Sequence, residues 1–119
     1  MATPNIVNVA TINAHNAAAA ITTSRAAAID VAADKVAKVN TILVCNIDGS
    51  NACNVTIEVS IDNGSNFVAL ASTISVPADA TLSFLENPIY LDETDLLYFT
   101  ASANSDLTYF VSYETLNDA

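Results

Sequence analysis

At 119 residues with 52% hydrophobic side chains, the chain can enclose one hydrophobic core but not two. Thirteen acidic residues against three basic ones give a formal charge of -10, a sign that repels phosphate backbones and argues against DNA or RNA as a partner. No apolar run approaches the roughly 20 residues of a membrane helix, and Met1 to Asn5 show neither the cationic nor the apolar stretch of an export signal, so the expectation is a protein made in a cytosol.

Residues 1 to 35 are rich in Ala, Thr and Asn. Their bulky apolar residues, Ile6, Val7, Val9, Ile12, Ile21, Ile29 and Val31, are sparse and β-branched, which favours extended backbone. The segment reads as an N-terminal arm or one or two weak edge strands, with a short helix over Ala17 to Ala20 as the alternative that alanine permits.

Residues 36 to 119 read as the sandwich domain. Val39 to Ile47 is expected as a buried strand, followed by a turn at Asp48-Gly49-Ser50-Asn51. Val55, Ile57, Val59 and Ile61 then alternate with Thr56, Glu58, Ser60 and Asp62, the period-two pattern of a half-buried strand, and the two strands are expected to form a hairpin. Asp62-Asn63-Gly64-Ser65 is a second turn, since Asn-Gly takes positive φ readily, and Phe67 to Leu70 follows as a strand. Further short strands are expected at Thr73 to Val76, Leu82 to Leu85, Ile89 to Leu91, Leu97 to Ala101 and Leu107 to Tyr113, with polar turns between them. Strands at this spacing give an all-β fold: an antiparallel β-sandwich, jelly-roll or Ig-like, with an extended N-terminal segment. In the last strand Phe110 breaks the alternation of Leu107, Tyr109, Val111 and Tyr113 and should lie on the opposite face.

The chemistry-bearing residues are few. The lone histidine, His15, lies in the segment with the weakest pattern, so no nucleophile and base can be written and no catalytic residue is expected. Cys45 and Cys53 flank a turn, where a bond is conceivable only at short Cα separation, and in a cytosol they are expected as free thiols. Two cysteines without a neighbouring histidine lack the ligands of a zinc site, and two glycines cannot build a phosphate-binding loop, so neither metal nor cofactor is expected. Calcium at Asp92, Glu93 and Asp95, or at Asp48 with Asn51, competes with the simpler reading of solvated turns, in which Asp92 and Asp95 could also cap backbone N–H groups. Tyr90, Tyr98, Tyr109 and Tyr113 could present a sugar-binding platform or serve as core and rim residues.

Several stretches carry a family likeness: Asn46 to Ala52, Ser75-Val76-Pro77-Ala78-Asp79-Ala80-Thr81-Leu82, Pro88 to Glu93, Thr100 to Leu107, Val111-Ser112-Tyr113-Glu114 and the opening Pro4 to Val9. Together they resemble small virion proteins of tailed phages, particularly marine and cyanobacterial ones. The resemblance covers most of the chain and is weakest over Asn13 to Ala37. It implies a β-sandwich attached to a particle, as a capsid decoration or cement protein or as a neck or tail accessory, the alternative being a receptor- or glycan-binding fibre module. The implied partners are the major capsid protein or other virion subunits and further copies of the chain, with a trimer favoured; the implied location is the virion, assembled in the bacterial host cytoplasm. Candidate interface residues are Ile6, Val7 and Val9 in the N-terminal segment, Arg25 among the three cations, and Phe110 and Tyr113 on the last strand. The N-terminal segment is expected to be the principal attachment element, having few large apolar groups to hold it in its own core.

Overall fold

The computed structural model describes residues 9–118, with side chains over 11–117. Among the described residues the regular structure is entirely strand: β1 (Val9–Ile21), β2 (Ala26–Asp30), β3 (Lys35–Asn46), β4 (Cys53–Ser60), β5 (Val68–Val76), β6 (Thr81–Ser83), β7 (Ile89–Leu91), β8 (Leu96–Ala101) and β9 (Leu107–Asp118). One sheet runs β1-β9-β3-β6, with β7 also on β3, and the other runs β2-β8-β4-β5. Every pairing is antiparallel. The expected all-β sandwich is therefore present, and its strand order is that of the jelly roll, with β6 and β7 sharing the place of one strand. A strand of 13 residues is about 43 Å long. β1, β9 and β3 thus account for most of the 50 Å long axis of a molecule 27 by 20 Å across.

Alternation along the strands builds the core. Val39, Ile42 and Val44 of β3 and Leu107 and Val111 of β9 point inward and meet Val55, Ile57, Leu97 and Phe99 from the other sheet, all at 2% exposure or less. The Phe99 ring lies flat on Tyr109, centroids 4.4 Å apart and planes 5° from parallel, and joins β8 to β9 across the sandwich.

Two expectations need correction. The strands either side of Asp48-Gly49 do not form a hairpin, because β3 and β4 belong to different sheets. The buried Asn46 side chain turns the chain from one sheet to the other: its Nδ2 donates to Asn51 O and Val76 O, and its Oδ1 accepts the Asp48 N–H. Both strands carry an apolar face, and facing each other across the core buries both, where side-by-side pairing would not. The helix considered for Ala17 to Ala20 is also absent; these residues pair with Val111, Phe110, Tyr109 and Thr108 of β9. Satisfying a neighbouring strand's backbone outweighs alanine's modest helical preference.

The second turn does join a hairpin, β4 to β5, with Asn63 at φ 58° and Gly64 at φ 90° as the sequence led one to expect. The stretches Phe67 to Leu70 and Thr73 to Val76 merge into one irregular strand, β5, in which Thr73 has φ 46° and donates its N–H to Thr56 Oγ1 at 3.1 Å. The N-terminal segment does reach the core, through Ile21, Ile29 and Val31 at 2–3% exposure.

Replacing Phe99 with Ala removes the largest fully buried side chain and the stack on Tyr109. The expected loss is about 3–5 kcal/mol of unfolding free energy, read from urea titrations. A loss below about 1 kcal/mol would contradict this packing.

Candidate functional site

The rungs of the β1-β9-β3 sheet separate into two faces. Ala17, Val111 and Ile42 share an inward rung, as do Ala19, Tyr109 and Val44, whereas Ala18, Phe110 and Leu43 share an outward one. Phe110 is thus on the solvent face, 40% exposed. The next outward rungs are Ala20 with Thr108 and Cys45 on one side, and Asn16 with Ser112 and Thr41 on the other. Small, uncharged side chains surround the phenyl ring, leaving a shallow apolar surface on an otherwise acidic chain. Beyond them Glu114 lies opposite Lys38 and accepts a hydrogen bond from Asn40 Nδ2 at 3.3 Å.

The other candidate interface residues are placed elsewhere. Tyr113 points to the inner face, where its ring stacks on His15 at 5.4 Å, and His15 Nε2 is hydrogen-bonded to Thr115 Oγ1 at 3.0 Å. Phe110 and Tyr113 therefore do not form one surface. Val9 begins β1, and Ile6 and Val7 lie outside the described residues. Arg25 donates from Nε and Nη2 to the two carboxylate oxygens of Glu58, at 2.9 and 3.2 Å, and its guanidinium carbon sits 3.7 Å from the centre of the Phe67 ring. Phe67 in turn meets Tyr98 edge-on at 5.0 Å, so this cation ties β2 to the β4–β5 turn.

A second apolar surface was not anticipated. Val68, Leu70 and Ile74 on the edge strand β5 are 59%, 47% and 39% exposed, and Ile61 beside them is 67% exposed. The signal was in Phe67 to Ala71, where consecutive residues are all apolar, so that no choice of face can bury the whole run.

The tyrosines do not assemble into a platform. Tyr90 is 54% exposed, whereas Tyr98, Tyr109 and Tyr113 are engaged by Phe67, Phe99 and His15. Cys45 is half-buried on the outer face of β3, and Cys53 is buried in the other sheet with Sγ 3.3 Å from Ser102 Oγ; both are free thiols. The acidic turn serves the backbone: Asp95 Oδ2 accepts the Asp92 N–H, Glu93 Oε2 accepts the Asp34 N–H, and Val31 exchanges bonds with Asp95 O and the Thr94 N–H. Among the described residues no group of three or more His, Cys, Asp or Glu is arranged to hold a metal.

Burial is the main influence on Asp95 and lifts its carboxyl above the ordinary 3.8; the Asp92 N–H works against this and the Asp92 charge adds to it. A proton held more tightly in the folded state stabilises that state in acid, and the benefit fades as pH rises through the folded-state pKa. Asp48 and Asp62 act in the opposite sense. The Ser50 N–H holds Asp48 low and the Asn66 side chain holds Asp62 low, so their stabilisation is present above the ordinary value and disappears as pH falls through the lowered one.

Asp95→Asn keeps an acceptor for the Asp92 N–H and removes the buried charge. It should raise the thermal unfolding midpoint at neutral pH, with the gain over wild type shrinking as the pH approaches about 4; a gain unchanged across that range would contradict the assignment. The thiols give a second check. In the folded protein Cys45 should react with a thiol reagent well ahead of Cys53, and denaturant should make the two react together.

No family model and no curated protein sequence matches the chain. Solved structures share the fold. A Bacillus endospore appendage protein, described as belonging to a family of disulfide-linked pili, superposes with a TM-score of 0.55 at 14% identity, over 92% of this chain and 88% of its own. The Drosophila NLP core, described in terms of pentamer formation and histone binding, gives 0.50 at 14% identity over 83% and 96%. A chain of infectious bursal disease virus, Gx strain, gives 0.52 at 8% identity over 93% of this chain, which spans only 34% of the viral one. At these identities the likeness is one of fold.

Proposed function

We propose that the chain is a structural, non-enzymatic virion protein of a tailed phage, carried on the capsid exterior as a decoration or cement subunit. The observation that carries this reading is the outward Phe110, set among Ala18, Leu43 and other small or apolar side chains on a chain of charge -10. An apolar surface of this kind on an acidic domain suits contact with another protein. The likeness of several sequence stretches to tailed-phage virion proteins supports the particle as the place of that contact, and the jelly roll supplies the rigid scaffold. Phe110 is the centre of the contact with the major capsid protein or with neighbouring copies around a local threefold axis, where a closed ring buries the same patch on each subunit. The chain acts through surface complementarity, in the virion, after assembly in the host cytoplasm.

The test is rebinding to particles. Recombinant chain added to virions stripped of it should sediment with them, and electron microscopy should show density at regular capsid positions. Phe110→Asp should weaken rebinding at least tenfold while leaving the far-ultraviolet dichroism unchanged. Recovery of the protein solely at the tail, or rebinding indifferent to Phe110→Asp, would overturn the assignment.

A further inference from the structure

Among the described residues there are four sheet edges, and they are not equally guarded. Exposed edges invite strand addition, and proteins blunt them by shortness, bulges, proline or charge. On β3 the outer edge is covered by β6 and β7, each of three residues. β2 has five residues and a register break between Ala27 and Ile29. β5 is broken twice in its pairing with β4 and kinked at Thr73.

β1 has none of these devices. From Thr11 to Ile21 it pairs with β9 in unbroken register, its one irregularity lying at the Val9 end. Between Val9 and Ile21 there is no proline and no Asp, Glu, Lys or Arg. Its side chains from Thr11 to Ala20 are exposed, apart from the half-buried Ala17, which packs against the core. Five of them are alanine, too small to obstruct an incoming strand.

We infer that β1 is an assembly edge, and that its occupant is the β1 strand of a second copy of this chain, paired antiparallel about a twofold axis near Asn16. Two observations select that partner. An added strand must offer an equally long, unbroken edge, and among the described strands β1 alone does so. Charge then fixes the approach: two chains of -10 repel wherever their acidic surfaces meet, whereas β1 against β1 brings no ionised carboxylate into the contact. Antiparallel pairing of a strand with its own copy is isologous, and the axis places Asn16 opposite Asn16 at the middle of the Thr11–Ile21 stretch. The product is one continuous sheet, β3-β9-β1 running into β1-β9-β3 of the second copy. This twofold contact uses the free backbone edge of β1, next to the outward face that carries Phe110, and does not depend on the virion reading.

The full chain at micromolar concentration should sediment as a dimer. Asn16→Asp is nearly isosteric and sets two carboxylates directly opposite each other across the axis. It should weaken the dimer at least tenfold with the dichroism spectrum unchanged. In a Cys45→Ser, Cys53→Ala background, single cysteines placed from Asn13 to Ala20 should form disulfide-linked dimers under mild oxidation, with the yield highest at one position, expected at 16, and falling on either side. A chain monomeric up to millimolar concentration would overturn the inference, as would a dimer that tolerates Asn16→Asp and shows no cross-linking maximum within β1. Binding of a capsid-derived strand by a monomeric chain would likewise assign the edge to another partner.

Discussion

β9 is the strand on which the sheet arrangement depends. It is paired along nearly its whole length on both sides, to β1 and to β3, and among the described residues β1 has no other partner in its sheet. Its inward residues Leu107 and Val111 are fully buried, and Tyr109 holds Phe99 of the opposite sheet. The partners are far apart in sequence: His15 reaches Thr115 across 100 positions. Long-range pairing of this kind closes a large loop before any contact is gained, so the sheet completes only when the C-terminal strand has been made, and folding should be slow for a domain of this size.

The acidic composition has a structural use beyond solubility. With only two glycines, the chain puts Asp34, Asn63, Thr73, Asp79, Thr94 and Ser105 at positive φ, conformations usually left to glycine. Aspartate and asparagine tolerate that region, and their short side chains bond to nearby backbone. Asp48 accepts the Ser50 N–H, Asp62 accepts the Asn66 N–H, and Asp95 accepts the Asp92 N–H. The carboxylates thus sit where turns would otherwise leave donors unpaired, and part of the charge of -10 follows from how the turns are built.

Most strands were legible in the sequence because their inward residues alternate cleanly: Val55, Ile57 and Val59 mark β4, and Leu107, Tyr109, Val111 and Tyr113 mark β9. What alternation cannot reveal is which sheet a strand joins. Asp48-Gly49-Ser50-Asn51 has hairpin composition, yet in a jelly roll the chain crosses between sheets at nearly every connection, and the crossing is fixed by the buried Asn46 amide rather than by the turn residues. β1 was hard to read because its alanines carry almost no pattern; its identity comes from β9, far away in the sequence, as in the pairing of Ile21 with Leu107. Of the candidate site, the outward position of Phe110 followed from its break in alternation. The inward stacking of Tyr113 on His15 and the Arg25 pairing with Glu58 depended on contacts between distant elements, which no local pattern encodes.

The confinement of all three cations to Arg25, Lys35 and Lys38 has a practical side. Trypsin cuts after Lys and Arg, so complete digestion leaves residues 39 to 119 uncut, an acidic stretch without Lys, Arg or His. In the folded protein the three sites differ: Arg25 is exposed although its side chain is held by Glu58 and Phe67, Lys35 is paired to β9 alone, and Lys38 lies where β3 is paired on both sides. A tryptic mass-spectrometric inventory would therefore see the protein through residues 1 to 25 and 26 to 35 and miss most of its length, and cleavage at acidic residues is the digestion that would open the remainder.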